Sequence, residues 1–181
     1  KGIDHTEILA PENAPEWATN REKLWNEVEK SEKRKDSQLA REIQVALPIE
    51  LTNDQKKNLI KEFAKDNFVT KGMIADTCLH DISGENPHAH IMLTMRHITP
   101  EGFGKKNFDW NKKENLLGWR ENWAKLANDH LALAGHDISI DHRSYEKMGI
   151  PLEAQKKIGP LKHMSQEDRA ETDRMQEYLE T

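Results

Sequence analysis

A chain of 181 residues holds one compact domain, or one domain followed by a helical tail. Hydrophobic residues make up 35% and charged residues 33%, so the core is modest, the surface is heavily charged, and five Trp supply much of the apolar bulk. A formal net charge of -5 argues against a generic polyanion binder, although a basic groove, or one bound divalent ion, fits on an acidic body.

The first periodic segment begins at Pro15, where PEWATNREKLWNEVEKSEK predicts a helix with Trp17, Leu24, Trp25 and Val28 near one stripe. Residues 41–47 alternate with period two and predict a strand: Ile43, Val45 and Leu47 face one way, Glu42 and Gln44 the other. LTNDQKKNLIKEFAKDNF (51–68) predicts a second helix, capped by Thr52 or Asn53, with Leu59, Ile60 and Phe63 inward. Strand 74–80 groups Asp76, Cys78 and His80. Strand 88–96 turns Ala89, Ile91, Leu93 and Met95 inward and His88, His90, Thr94 and Arg96 outward. The short SGENP loop between these strands predicts an antiparallel hairpin. GFGKKNF reads as a flexible loop. A third helix spans 112–134 on a stripe of Leu116, Trp119, Trp123, Leu126, Ala127 and Leu131, and stops at Gly135. A last strand, 137–143, points Ile138 and Ile140 inward and Asp137, Ser139, Asp141 and Arg143 outward. Residues 165–181 are helical in composition but weakly amphipathic. The sum is an α+β fold, a two-layer α/β sandwich: an antiparallel-rich sheet with helices on one face and a polar, histidine-bearing face opposite.

That polar face carries the chemistry. His88 and His90 are two apart on one strand and point to the same side, and the hairpin brings His80 beside them. Three converging imidazoles suit a borderline divalent ion; Mn²⁺, Co²⁺, Ni²⁺ or Zn²⁺ is held more tightly than Mg²⁺, which prefers oxygen. The same pattern also fits surface histidines that never meet. Metal-bound imidazoles usually have an outer partner that fixes their tautomer, and Glu42 and Asp76 are placed for that role, unless each is simply a solvated acid. Basic side chains near the rim of this face are Arg96, Arg143, Lys105 and Lys106, and Phe103 and Phe108 flank the lysine pair. Cys78, the single cysteine, excludes an internal disulfide and a CxxC zinc site, and fits a packed thiol in a reducing compartment better than a nucleophile. No apolar run approaches the roughly 20 residues of a membrane span, and the opening KGIDHTEILAP has no signal-peptide pattern. It has no initiator Met either, and reads as the interior of a larger, cytoplasmic protein without membrane insertion.

LAREIQVALPIEL (39–51), CLHD (78–81), NPHAHIMLTMR (86–96), WAKLAN (123–128) and IDHRSYEKMGI (140–150) together resemble the MobA/MobL family of plasmid relaxases, of the HUH endonuclease class, which includes TraA-type proteins. HTEILAPENAPEW (5–17) is similar to the family's segment after its first strand and helix, and the resemblance covers about residues 1–165, leaving 166–181 as a helical tail. It implies an HUH relaxase-like core and a divalent metal, Mn or Mg first and Zn, Ni or Co as alternatives, on His80, His88 and His90. It further implies site- and strand-specific nicking and rejoining at a plasmid transfer origin through a phosphotyrosine. The partners implied are single-stranded origin DNA, relaxosome accessory proteins and coupling proteins in a bacterial cytoplasm, with Arg96, Arg143, Lys105 and Lys106 as candidate contacts to the DNA backbone and Phe103 and Phe108 as candidates for stacking on a base. The family's tyrosine lies near its N-terminus, so the nucleophile is expected upstream of Lys1. Neither Tyr145 nor Tyr178 matches its position, and the chain alone is expected to be inactive.

A rolling-circle replication initiator of the same class, and a non-catalytic metal-stabilised DNA-binding module, are the competing readings. Histidine-triad nucleotide hydrolases need a further alternating histidine where Met92 stands. Two-histidine phosphodiesterases need HxT or HxS, which Ile91 and Met92 break.

Overall fold

Four strands pair antiparallel in the order β1-β3-β4-β2: β1 (His5–Leu9), β2 (Ala40–Ala46), β3 (Ala75–His80) and β4 (His88–Thr94). The structure is a computed structural model, and it describes residues 2–151. The expected tail at 166–181, with Tyr178, lies outside the described residues. By internal contacts the chain divides into two units, Lys1–His142 and Arg143–Thr181. Within the described part of the second unit, Ser144 caps a short helix, α4 (Tyr145–Met148).

Alternation fixes which side of the sheet is dry. Ala75 and Leu79 of β3, with Ala89, Ile91 and Leu93 of β4, are buried on one face. There they pack under α2 (Asn53–Asn67) and α3 (Lys113–Leu133) through Leu59, Ile60, Phe63, Trp119, Ala127 and Leu131. Thr52 starts α2 with a reciprocal capping box to Gln55, a device that contributes about 1 kcal/mol. Gly135, at φ 83°, follows the end of α3 in the left-handed conformation that an L side chain resists.

The structure departs from the sequence reading in several places. The segment from Pro15 is not one helix: a 3-10 turn at Glu16–Thr19 ends at Asn20, whose extended backbone and side-chain bond to the Lys23 amide begin α1 (Arg21–Ser31). Nor do all helices share a face. Leu24 and Val28 of α1 are buried with Ile8 and Ile74 on the histidine side, so α1 covers part of that face. His5–Leu9, which lies outside every predicted element, is the edge strand beside β3. Strand 88–96 ends at Thr94; Arg96 belongs to β5 (Arg96–Thr99), which pairs with β6 (Gly102–Lys106) as a separate hairpin. The GFGKKNF segment is therefore largely strand, and Phe103 packs edge-on against Trp17 at 5.6 Å. Leu116, expected in the core stripe of α3, is 51% exposed. No strand forms at 137–143. The backbone N–H and C=O of Ile140 are both bound by the Asn128 side chain, and the His142 carbonyl accepts from Arg120. Side chains of α3 thus satisfy the backbone that a sheet partner would have satisfied, and Ile138 and Ile140 stay 49% and 41% exposed.

Candidate metal centre

His80 and His88 are direct cross-strand partners, and His90 sits opposite Cys78 on one side and Gln44 on the other. The three rings occupy the two central strands on one face, with centroids 5.4 Å (His80–His88), 5.2 Å (His80–His90) and 5.3 Å (His88–His90) apart. Ligation by three imidazole nitrogens at about 2.1 Å places ring centres roughly 5 Å apart, so the spacing suits a shared ion. Among the described residues no group of three or more His, Cys, Asp or Glu is already arranged to hold a metal ion. The fit rests on the donor set and its orientation.

That orientation is specified. The Nδ1 atom of each ring faces an oxygen: Glu42 Oε1 at 2.6 Å from His90, the Asn86 carbonyl at 2.7 Å from His88, and the Gly2 carbonyl at 3.3 Å from His80. A carbonyl or carboxylate oxygen only accepts, so Nδ1 must carry the hydrogen and donate. The tautomer that results leaves the Nε2 lone pair of each ring available to a metal. Glu42 thus meets His90 directly from the neighbouring strand. The two backbone carbonyls carry no side-chain signature that would mark them in the sequence.

Asp76 shares the face but has other partners. Its carboxylate, 4% exposed, accepts two bonds from Arg21 Nε and Nη2 at 2.9 and 2.6 Å and one from Trp25 Nε1 at 2.9 Å. The hydrogen bond to Asp76 holds the Arg21 guanidinium above its ordinary value. Asp76 ties α1 to the sheet, and the expectation that it orients a histidine is corrected: the nearer donors of α1 take both carboxylate oxygens. Asp76→Ala is expected to cost about 2–3 kcal/mol in urea unfolding, below a fully buried pair because the remaining Arg21 is 44% exposed and can rehydrate. Mn²⁺ affinity of the folded variant should stay within about threefold of wild type; a larger loss would return Asp76 to the metal centre.

Cys78 lies between these groups. Burial, and then the Asp76 carboxylate, push its thiol up, which suits a packed thiol and not a nucleophile.

The basic candidates divide. Arg96 donates to Glu32 at 3.0 Å and to the Gly104 carbonyl, and Lys106 reaches Glu32 at 3.1 Å and the Gln38 carbonyl. Burial pushes the Glu32 carboxyl up, but bonds from Arg96, Lys106 and Ser37 prevail and hold it below the ordinary carboxylate range. Its contribution to stability is therefore present at neutral pH and lost as acid takes the pH down through that lowered value. Arg96 is not on the histidine strand, because the chain bends at Met95 before β5 begins. Lys105 is exposed on β6, Phe108 is 72% exposed, and Arg143 lies in the second unit.

An antiparallel α+β sheet presenting three tautomer-fixed imidazoles from its two central strands defines a protein with a histidine-lined, open ligand face. The chain belongs to the MobA/MobL family, whose model matches residues 1–168. It is 40% identical over 183 residues to a probable conjugal transfer protein TraA of Sinorhizobium fredii, covering 84% of this chain and 16% of that protein. It is 35% identical to the mobilization protein MobL of Acidithiobacillus ferridurans, covering 88% of this chain and 50% of that one. Among solved structures it matches a chain described under "Molecular Basis of Vancomycin Resistance Transfer in Staphylococcus aureus", with TM-score 0.76 and 40% identity, over 80% of this chain and 78% of that one. The chain thus spans about one sixth of the TraA protein and half of MobL.

Proposed function

We propose that this chain is the metal- and DNA-holding core of a relaxase that nicks and rejoins one DNA strand at a plasmid transfer origin. The observation that carries the reading is the trio His80, His88 and His90, each with Nδ1 committed to an oxygen, in a chain of the MobA/MobL family. The names of the relatives, conjugal transfer and mobilization proteins, favour mobilisation over replication initiation.

In this reading the three imidazoles hold one divalent ion, Mn²⁺ or Mg²⁺ first and Zn²⁺, Ni²⁺ or Co²⁺ as alternatives. When bound it supplies Lewis-acid polarisation of a phosphoryl oxygen. Glu42 keeps His90 aligned, so little rotation is left to freeze when ligands close. The strand transfer itself is an exchange of esters: a tyrosine oxygen bonds to phosphorus, the bond to the 3′ oxygen breaks, and that oxygen leaves as a hydroxyl. The tyrosyl ester conserves the phosphodiester's energy, so rejoining needs no nucleotide cofactor. Neither Tyr145 nor Tyr178 is the attacking residue in this proposal. Residues 1–165 act as the nuclease core.

Single-stranded DNA would lie along the histidine face, with exposed Lys105 on its phosphates and Arg96 and Lys106 fixing the ground beneath; Arg143, in the second unit, is a separate candidate phosphate contact. Fluorescence anisotropy with a transfer-origin oligonucleotide across a salt series tests this. Each lost phosphate contact should flatten the slope of log affinity against log salt by about 0.7. If Lys105→Ala and Arg143→Ala both match wild type in affinity and slope, the DNA runs elsewhere.

A further inference from the structure

A cavity of about 500 Å³ opens at the end of the sheet remote from His88, between the loop that follows α1 and the 3-10 turn Phe108–Asn111. We propose that it takes one nucleobase of the single-stranded DNA, stacked on the Phe108 ring, with Lys33 and Arg34 on the flanking phosphates. The proposal rests on the relaxase reading and adds a base-contacting site to it.

Phe108 is 72% exposed, yet the turn that carries it is anchored. Trp110, two residues on, is buried with its ring 4.5 Å from His97. The Asn107 side chain accepts from the Asp109 amide, and the Asn107 amide donates to the Met95 carbonyl. A firmly held phenyl ring facing solvent gains nothing for the fold, but it is a platform for a base, every one of which has a flat π-face.

The charge around it is of the right sign. Lys33, Arg34, Arg96 and Lys106 line the cavity against Glu32 and Asp36, a positive excess on a chain whose net charge is -5. Glu32, whose side chain is 7% exposed, fixes Arg96 and Lys106 as the floor. Among the described residues the Arg34 side chain pairs with Asp36, at 2.6 Å and with both side chains at least 70% exposed, a surface pair that exchanges readily for a phosphate. The side-chain amides of Gln38 and Asn111 complete the lining; Gln38 Nε2 donates to the Ala40 carbonyl and Asn111 Oδ1 accepts from Arg41, which leaves Gln38 Oε1 and Asn111 Nδ2 to read a base edge.

The location suits a strand that passes the imidazoles. β2 and β4 run together from the pair Gln44–His90 to the pair Ala40–Thr94, beside the cavity. Four residues of strand span about 13 Å, so the stacked base would lie a few nucleotides from the phosphate held at the histidines.

The test compares two fluorescent 12-nucleotide probes of equal charge, one of mixed sequence and one abasic throughout, by anisotropy. Wild type should bind the mixed-sequence probe more tightly. Phe108→Ala should lose about 5- to 100-fold of affinity for that probe, the range of one base–aromatic stack, with unchanged affinity for the abasic probe and an unchanged salt slope. Phe108→Trp should restore binding, whereas Lys33→Ala/Arg34→Ala should weaken both probes and flatten the slope. If Phe108→Ala binds both probes like wild type, or wild type does not distinguish them, the pocket is wrong and the relaxase reading stands. If wild type binds neither probe, both fall together.

Discussion

Alanine in place of His88 is expected to abolish tight Mn²⁺ binding, raising the dissociation constant by at least about 100-fold in isothermal titration calorimetry. His88 is the cross-strand partner of His80 and lies two residues from His90, so its removal takes one of three converging nitrogens and leaves two. Loss of a supporting group that only orients a ligand costs roughly 10- to 100-fold in metal affinity, and loss of the ligand itself must cost more. Glu42→Gln supplies the graded control. It keeps an acceptor oxygen near His90 Nδ1 but removes the charge, and it should fall toward the lower end of that range. Far-ultraviolet circular dichroism should be unchanged in both variants, because His88 and His90 are only partly buried and Glu42 is exposed. Equal binding by wild type and His88→Ala would show that the three rings do not form one site.

The second large effect falls on the opposite face of the sheet. Phe63→Ala is expected to cost about 3–5 kcal/mol in urea unfolding. Phe63 is 1% exposed and meets Phe68 and Trp123 edge to face at 5.4 and 5.0 Å, where α2 and α3 close over β3 and β4. Truncation removes both ring contacts and opens a cavity between two helices that the strands beneath prevent from collapsing. Mn²⁺ affinity of the molecules that stay folded should be unchanged, since the imidazoles lie on the other side of the strands. A cost below about 1 kcal/mol would mean that this core is looser than its packing implies.

The parts of the fold that were legible in the sequence are those where one period runs unbroken. β3, β4 and α2 alternate or repeat cleanly because each buries one whole face, and the turn between the strands is short. The shared face of the three histidines follows from that alternation alone. β1 was not legible, because His5–Leu9 is a five-residue edge strand with mostly half-buried side chains, and its pattern is weak. β5 and β6 hid behind glycines and lysines, which signal a loop when no partner is in view. The strand expected at 137–143 shows the reverse error. Ile138 and Ile140 alternate with polar residues, but the Asn128 side chain captures the backbone of Ile140, and such a tertiary bond leaves no mark on local periodicity. At the site, Glu42 was legible because it sits on the adjacent strand with the right parity. Asp76 had the same parity and was claimed instead by Arg21 and Trp25, 55 and 51 residues away in sequence. The Asn86 and Gly2 carbonyls that orient His88 and His80 belong to the backbone, to which side-chain identity is silent.

The most direct test of the central claim is a nicking assay with the full-length protein on supercoiled plasmid carrying its transfer origin, with Mn²⁺ or with chelator, followed by denaturing electrophoresis for protein-linked DNA. The account predicts metal-dependent relaxation with protein on the 5′ end of the nicked strand. This product should be lost in His88→Ala and retained within about threefold in Tyr145→Phe. Nicking that survives chelation and His88→Ala, or an adduct that vanishes with Tyr145→Phe, would contradict it.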